Sequence, residues 1–142
     1  MKATDLLARQ EQSSQVLKQK LLLRGYTETD TQAAIQRLIS LGYLNDAEAC
    51  RRQFEFLYED SRQSVRQICR KLLQRGFSHD QIEACIPAET ATREMRAAKR
   101  SLALKFKEGA EPRRMMQHLY LKGFPSEICR QAAESFGAEA DS

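Results

Sequence analysis

Arginine side chains recur at helical spacing in the middle and the last third of this chain. Arg62, Arg66 and Arg70 step by four residues and lead into an apolar segment. A second basic group follows and comprises Arg93, Arg96, Lys99, Arg100, Arg113 and Arg114. Because the guanidinium fork holds carboxylates and phosphates through paired hydrogen bonds, these nine residues are the candidate contacts to an acidic partner or to nucleic acid. The alternative is a solvated face paired with Glu55, Glu59 and Glu94, and the spacing leaves both interpretations open.

No arrangement of residues in the sequence matches a known catalytic motif. There is no Gly-rich phosphate loop, no dinucleotide fingerprint, no His-Glu-x-x-His and no Gly-x-Ser-x-Gly. His79 and His118 lie in unrelated contexts, and both are expected to be solvent-facing structural residues. The four cysteines form no Cys-x-x-Cys pair, which favours buried reduced thiols over a disulfide or zinc framework. We therefore predict a binding protein rather than an enzyme, without a metal ion or a cofactor.

The elements that would position the basic residues come from a motif that occurs three times. Each copy reads basic or His, apolar, apolar, any residue, basic, Gly, aromatic, and it ends at Gly25-Tyr26, Gly76-Phe77 and Gly123-Phe124. Apolar residues eight, four and three positions before each glycine predict one buried helical stripe. The glycine supplies the left-handed residue that ends a helix, and a new helix start follows at once.

The glycines are separated by 51 residues (25 to 76) and 47 residues (76 to 123), a period typical of tandem helical repeats. We predict an all-α fold of three tandem three-helix units that form an elongated, curved array. The predicted units cover 1–46, 47–88 and 89–142, and the last ends in a short polar tail from Gly137. The first unit is expected to open with a helix over 3–10, and Ser13 and Ser64 are expected to cap motif helices.

Composition places the chain among folded, water-soluble proteins. Of its 142 residues 42% are hydrophobic and 30% are charged, and the formal net charge is +4. No apolar run approaches the length of a membrane span, and the first five residues lack the apolar core of a signal peptide. We therefore expect a cytoplasmic protein, and a monomer, whose mildly basic charge permits contact with nucleic acid but does not demand it.

The ordered set of motifs resembles the bacterial RecX family. Leu6-Leu7-Ala8-Arg9, Ser13 and the first motif copy resemble its opening, and Leu41-Gly42-Tyr43-Leu44-Asn45-Asp46 resembles its most recognisable connector. Arg66, Ile68 and Arg75-Gly76-Phe77 are similar to its second unit, and Lys105-Phe106 with the third copy to its third. The chain departs from the family at Arg62-Gln63-Ser64-Val65, where members carry a Gly-aromatic-Gly-Pro stretch.

This resemblance implies three tandem three-helix units, no enzymatic activity and the RecA recombinase as partner. It implies that the protein lies along the groove of the RecA–DNA filament, where it restrains filament extension, ATP hydrolysis and strand exchange. Direct contact with DNA is left open. A helix-turn-helix DNA-binding regulator is the alternative, although Glu28 and Asp30 stand at the end of the helix that would meet DNA. A helical scaffold that contacts neither DNA nor a recombinase is a third hypothesis.

Overall fold

The chain forms helices throughout the part that the computed structural model describes, residues 13–60 and 62–141. Within these residues there are eight helices and no strand, so the all-α prediction is confirmed. In chain order they are α1 (Ser14–Leu23), α2 (Glu28–Ser40), α3 (Asp46–Asp60), α4 (Val65–Gln74), α5 (His79–Glu83), α6 (Ala91–Lys105), α7 (Pro112–Leu121) and α8 (Ser126–Asp141). The helix predicted over 3–10 lies outside the described residues.

These helices fold into two compact lobes. Among the described residues, lobe one contains 13–54 and 71–85, and lobe two contains 55–70 and 86–141. The division therefore falls within α3 and within α4. The boundaries predicted after residues 46 and 88 for three sequential units stay predictions.

The three motif helices, α1, α4 and α7, end in the same way. Gly25, Gly76 and Gly123 have φ angles of 96°, 93° and 93°, which glycine adopts without a steric penalty. In each copy the amide of the following aromatic residue donates to a carbonyl five residues earlier, as Phe77 does to Leu72 over 3.2 Å. This pattern is the Schellman motif, in which the last helical carbonyls gain partners.

Only part of the predicted apolar stripe is buried. The positions eight and four residues before each glycine are buried in all three copies, for example Ile68 and Leu72 at 0% exposure. The position three residues before the glycine is exposed in every copy, as Leu22, Leu73 and Tyr120 show. This position is offset by about 100° from the one before it, which carries it past the edge of the packed face.

Each lobe has its own apolar core beneath its motif helices. In lobe one, α1 and α2 pack through Leu17, Leu21, Ile35, Leu38 and Leu44. In lobe two, α6, α7 and α8 enclose a larger cluster, whose buried members are Ala97, Ala98, Leu102, Met115, Leu119, Phe124, Ile128, Cys129, Ala132 and Ala133. All four cysteines are free thiols; Cys50 and Cys129 are buried, and Cys69 and Cys85 are half-buried.

One boundary prediction needs correction, and the start of α3 shows which residue caps it. The polar tail expected from Gly137 is helical, since α8 continues to Asp141. Alanine and glutamate favour the helix there, and a single glycine weakens a helix without ending it. At the start of α3, Asn45 is the residue that caps, through a 3.1 Å bond from the Glu48 amide, while Asp46 is engaged elsewhere.

Asp46 takes part in a set of hydrogen bonds, which we call a joint, that connects the start of α1 to the start of α3 and to the end of α4. Ser13 accepts a hydrogen bond from the Val16 amide and donates its hydroxyl to the Arg75 carbonyl, 2.8 Å away. Asp46 accepts hydrogen bonds from the Ser14 amide at 2.8 Å and from the Ser14 hydroxyl at 2.6 Å. This first joint, made by 13–14, Asp46 and the Arg75-Gly76 turn, lies within lobe one.

The same construction recurs within lobe two. Ser64 accepts from the Gln67 amide and donates to the Lys122 carbonyl at 2.6 Å. The Val65 amide donates to Glu94 at 3.1 Å, as the Ser14 amide does to Asp46. In this second joint, made by 64–65, Glu94 and the Lys122-Gly123 turn, one serine hydroxyl again caps the start of one motif helix and the end of the next.

We expect Ser13→Ala and Ser64→Ala each to lower the free energy of unfolding by about 2 kcal/mol. About half comes from the lost helix cap, and the rest from the Arg75 or Lys122 carbonyl left without its donor. Ser78→Ala is the matched control, because Ser78 caps α5 in a capping box and is solvent-exposed. Urea unfolding followed by circular dichroism should give about 1 kcal/mol for this control. Equal losses in all three variants would contradict the second role of Ser13 and Ser64.

Candidate functional site

The basic residues of α4 face away from its packed side. Arg66 and Arg70 are exposed, whereas Ile68 and Leu72 on the same helix are fully buried. At 100° per residue, Arg66 and Arg70 lie on the side of the helix opposite to these two. The helix therefore presents two guanidinium groups to solvent one turn apart.

The later helices of lobe two add a second and a third pair. On α6, Arg96 and Arg100 are exposed and stand one turn apart, while Ala97, Ala98 and Leu102 are buried. Arg113 and Arg114 are exposed in the first turn of α7. Arg62 is exposed in the segment before α4. We call the seven exposed residues the arginine set: Arg62, Arg66, Arg70, Arg96, Arg100, Arg113 and Arg114.

No member of the arginine set makes an ion pair or a side-chain hydrogen bond with another residue in the described part of the chain. Some other exposed arginines do have acidic partners, whereas Arg24, Arg37 and Arg51 of lobe one, like the arginine set, have none among the described residues. Arg130 binds Glu127 and Glu134, which raises the pKa of its guanidinium, and Arg52 lies 3.6 Å from Glu48. Glu94, one of the acids that a paired face would use, is buried and bound to Arg93. The arginine set therefore remains available to a partner.

The structure places Arg93 inside lobe two, although the sequence grouped it with the surface residues. Its side chain is 5% exposed, and its guanidinium donates to the carbonyls of Tyr58 at 2.8 Å and Gln63 at 2.5 Å. It also bonds Glu94 at 2.6 Å and lies 4.9 Å from the centre of the Tyr58 ring. Arg93 thus binds carbonyls at the end of α3 and just after it, and it is not part of the exposed surface.

Glu94 is the acidic partner of Arg93 in this buried cluster. Burial raises the pKa of its carboxyl, and the Arg93 hydrogen bond and charge, together with the Val65 amide, oppose that rise. Lys99, the remaining predicted site residue, is half-buried on α6 and interacts with its surroundings. Seven of the nine predicted residues are thus exposed and have no side-chain partner in the described part of the chain, and two are engaged within the fold.

The second joint brings the start of α4 beside two other helices of lobe two. Val65 is bound to Glu94 on α6, two residues before Arg96. The stem of Arg66 lies against the end of α7, because a Cβ placed on Gly123 would lie 3.1 Å from the Arg66 Cβ. Arg62 and Arg66 therefore flank a segment that is hydrogen-bonded to both α6 and the end of α7, and their own side chains are exposed.

The contacts of His118 are those of a structural residue. His118 is half-buried rather than solvent-facing; its Nε2 lies 3.2 Å from Ser101 Oγ, and its ring meets Phe106 edge-on. Burial lowers the pKa of His118, as do the charges of Lys105 and Lys122. Within the described residues there is no cluster of His, Cys, Asp or Glu that could hold a metal ion. No helix there is long and apolar enough to cross a membrane.

Sequence reasoning missed the two joints and the buried role of Arg93. Ser13 and Ser64 carry a recognisable capping signal, but their second bonds join residues 62 and 58 positions apart. The repeated position of these serines could have indicated the joints, since a serine directly precedes each of the first two motif helices, whereas Glu111 precedes the third. Nothing in the local spacing distinguishes Arg93 from Arg96.

Comparisons with known proteins agree with this architecture. The family model described as RecX, first three-helix domain, matches residues 1–38. The crystal structure of RecX from Lactobacillus salivarius superposes with a TM-score of 0.79 at 18% identity, over 96% of this chain and 92% of that one. A crystal structure of regulatory protein RecX gives 0.78 at 19% identity, over 92% of this chain and 67% of that one. No curated protein sequence matches the chain.

Proposed function

We propose that this chain is a member of the RecX family and regulates the RecA recombinase by binding along the groove of the RecA–DNA filament. Binding there restrains filament extension, ATP hydrolysis and strand exchange. The observation that carries the proposal is the arginine set of lobe two, seven exposed guanidinium groups without partners in the described residues. Its partner is a surface of carboxylates or phosphates, and the chain acts by binding rather than by catalysis.

The chemistry of the arginine set supports such a partner. An exposed ion pair contributes about 0–1 kcal/mol, so a surface needs several guanidinium groups to bind tightly. Arg66 and Arg70, or Arg96 and Arg100, stand one helical turn apart, about 5–6 Å, which suits repeated acidic groups on an extended partner. Because these contacts are electrostatic, we expect binding to weaken as the salt concentration rises. In this proposal the protein works as a monomer in the cytoplasm, where RecA acts.

A helix-turn-helix DNA-binding regulator is less well supported by the geometry. The helix after the first glycine, α2, begins with Glu28 and Asp30, which would repel phosphates. The helix after the second glycine, α5, has only five residues, about 7.5 Å of helix, too short to read a major groove. Tight binding to one duplex sequence with no recombinase present would favour this alternative over our proposal.

The proposal is tested by measuring ATP hydrolysis by the cognate RecA on single-stranded DNA. We expect the rate to fall when this protein is added well below one copy per recombinase, and excess DNA should not restore the rate. Relief by excess DNA would instead indicate competition for DNA alone. An unchanged rate at a stoichiometric excess of folded protein would overturn the proposed function.

Charge reversal on the arginine set should weaken filament binding about tenfold or more for each pair of substitutions. The test variants are Arg66→Glu/Arg70→Glu and Arg96→Glu/Arg100→Glu, and binding is measured by fluorescence anisotropy of the labelled protein. The matched control is Arg51→Glu/Arg52→Glu, an equal charge change at exposed positions of lobe one. If the control weakens binding as much as the test variants, only net charge matters and the arginine set is not the contact surface.

A further inference from the structure

The three motif copies present one recurring binding feature at the end of their helices. In each copy the carbonyl before the glycine accepts no backbone hydrogen bond from a described residue, the glycine has no side chain, and an aromatic residue follows. We call this feature a socket; the three sockets are Arg24-Gly25-Tyr26, Arg75-Gly76-Phe77 and Lys122-Gly123-Phe124. Their backbones have matching φ angles and the same Schellman hydrogen bonds.

Two of the sockets are occupied by the same kind of group. The start of α1 fills the second socket, where the Ser13 hydroxyl donates to the Arg75 carbonyl. The start of α4 fills the third, where the Ser64 hydroxyl donates to the Lys122 carbonyl. The fit leaves no room for a side chain, since a Cβ on Gly76 would lie 2.4 Å from Ser13 Oγ and one on Gly123 would lie 2.9 Å from Ser64 Oγ.

No residue of the described ranges fills the first socket. Among the described residues, nothing lies within 4 Å of a Cβ built on Gly25, and none donates a hydrogen bond to the Arg24 carbonyl. Tyr26 is 45% exposed, whereas Phe77 and Phe124 in the filled sockets are 3% exposed. Leu23 beside it is 87% exposed. The chain therefore presents, on lobe one, a copy of a surface that it covers elsewhere with a serine-capped helix start.

We propose that the first socket binds the first turn of an α-helix in the recombinase partner, with a serine or threonine at the helix N-cap. The partner hydroxyl donates to the Arg24 carbonyl, and the residue that follows it packs against Gly25 and Tyr26. This inference rests on the proposed function for the identity of the partner and adds a contact on lobe one, separate from the arginine set. Tyr26, which stands where the other two sockets have phenylalanine, suits a surface that is solvent-exposed in the free protein and buried in the complex.

In a second copy of this chain, the motif-helix start that fills no socket fits poorly. That start is α7, whose N-cap Glu111 makes no capping hydrogen bond. The Glu111 side chain offers carboxylate oxygens, which are acceptors, and they would face the Arg24 carbonyl, another acceptor. DNA is a poor occupant as well, because phosphates are acceptors and the socket offers an acceptor.

The test adds one methyl group to the socket. Gly25→Ala places a Cβ where the partner hydroxyl would sit, and Gly42→Ala is the matched control. Gly42 also has a positive φ, 80°, at the end of a helix, and nothing described lies within 4 Å of its Cβ position. Binding of each labelled protein is measured on RecA filaments assembled on single-stranded DNA with a non-hydrolysable ATP analogue. We expect about a tenfold weaker affinity for Gly25→Ala and an unchanged affinity for Gly42→Ala.

The outcomes separate this inference from the proposed function. If the wild-type protein does not bind the filament, the proposed function fails and the inference fails with it. If the wild type and both variants bind equally, the proposed function stands and the socket inference alone is overturned. If Gly25→Ala and Gly42→Ala weaken binding equally, backbone strain explains the loss and the inference is again overturned.

A photo-crosslinking experiment identifies the occupant. Tyr26→p-benzoyl-L-phenylalanine is irradiated on the same filaments, and the adduct is mapped by mass spectrometry. We expect adducts within the first turn of a recombinase helix that follows a serine or threonine. Adducts to DNA, to a second copy of this chain or to a recombinase strand would overturn the inference, and so would the absence of any adduct.

Discussion

Replacing Arg93 with alanine is expected to destabilise lobe two by about 3–5 kcal/mol. The guanidinium is almost fully buried and donates to the backbone carbonyls of Tyr58 and Gln63 and to the Glu94 carboxylate. Its removal leaves a buried acid without its counter-charge and leaves carbonyls at the end of α3 without donors. Urea or thermal unfolding followed by circular dichroism measures the loss, which would lower the melting temperature strongly.

Arg96→Ala is the matched control for this variant. Arg96 lies on the same helix, is exposed and has no partner among the described residues, so its truncation should change the free energy of unfolding by less than about 0.5 kcal/mol. The double variant Arg93→Ala/Glu94→Ala should recover part of the loss, because it removes the uncompensated charge. A loss below about 1 kcal/mol for Arg93→Ala would contradict the assigned role. The two arginines would then be equivalent despite their different burial.

The second large effect concerns Gly76, which we expect to tolerate alanine far less well than Gly25. Both glycines have left-handed backbones, and alanine there costs about 1–2 kcal/mol. At Gly76 the added Cβ would also lie 2.4 Å from Ser13 Oγ, in the buried first joint, whereas at Gly25 no described atom lies within 4 Å. Overpacking of this kind adds about 1–3 kcal/mol, so the difference between the two variants measures the joint.

A double-mutant cycle checks the cause of that difference. Ser13→Ala removes the oxygen that the new methyl group would meet, so Gly76→Ala combined with Ser13→Ala should destabilise less than the sum of the single variants. The expected coupling is about 1 kcal/mol or more, measured by denaturant unfolding. Strict additivity, or equal losses for Gly25→Ala and Gly76→Ala, would show that the contact between Ser13 and Gly76 is not what excludes a side chain.

Features set by short-range rules could be predicted from the sequence. The glycine turns, the caps at Ser13, Thr27, Ser64 and Ser78, and the start of α7 at Pro112 all depend on residues within one or two turns of each other. The end of α8 was predicted wrongly because Gly137 was taken as a stop, while its alanine-rich surroundings favour continuation. Propensity is a sum over a segment, and one unfavourable residue does not decide it.

Which arginine is buried and which is exposed could not be predicted from the sequence, for a physical reason. Arg93 and Arg96 are the same residue type three positions apart, and the helix alone does not say which of them meets the end of α3. That depends on the chain folding Leu57 and Tyr58 beside α6, a contact between residues about 35 positions apart. The same holds for Ser13 and Ser64, whose caps are local but whose carbonyl partners are distant.

The interleaving of the two lobes has a consequence for protein synthesis. Lobe one needs 71–85, which are translated only after the 55–70 segment of lobe two. A nascent chain that stops near residue 54 therefore contains an incomplete lobe one. Ser13 at the start of α1 cannot form its hydrogen bond to the Arg75-Gly76 turn until that turn has been synthesised. Folding during translation cannot proceed lobe by lobe, and no single proteolytic cut can release either lobe intact.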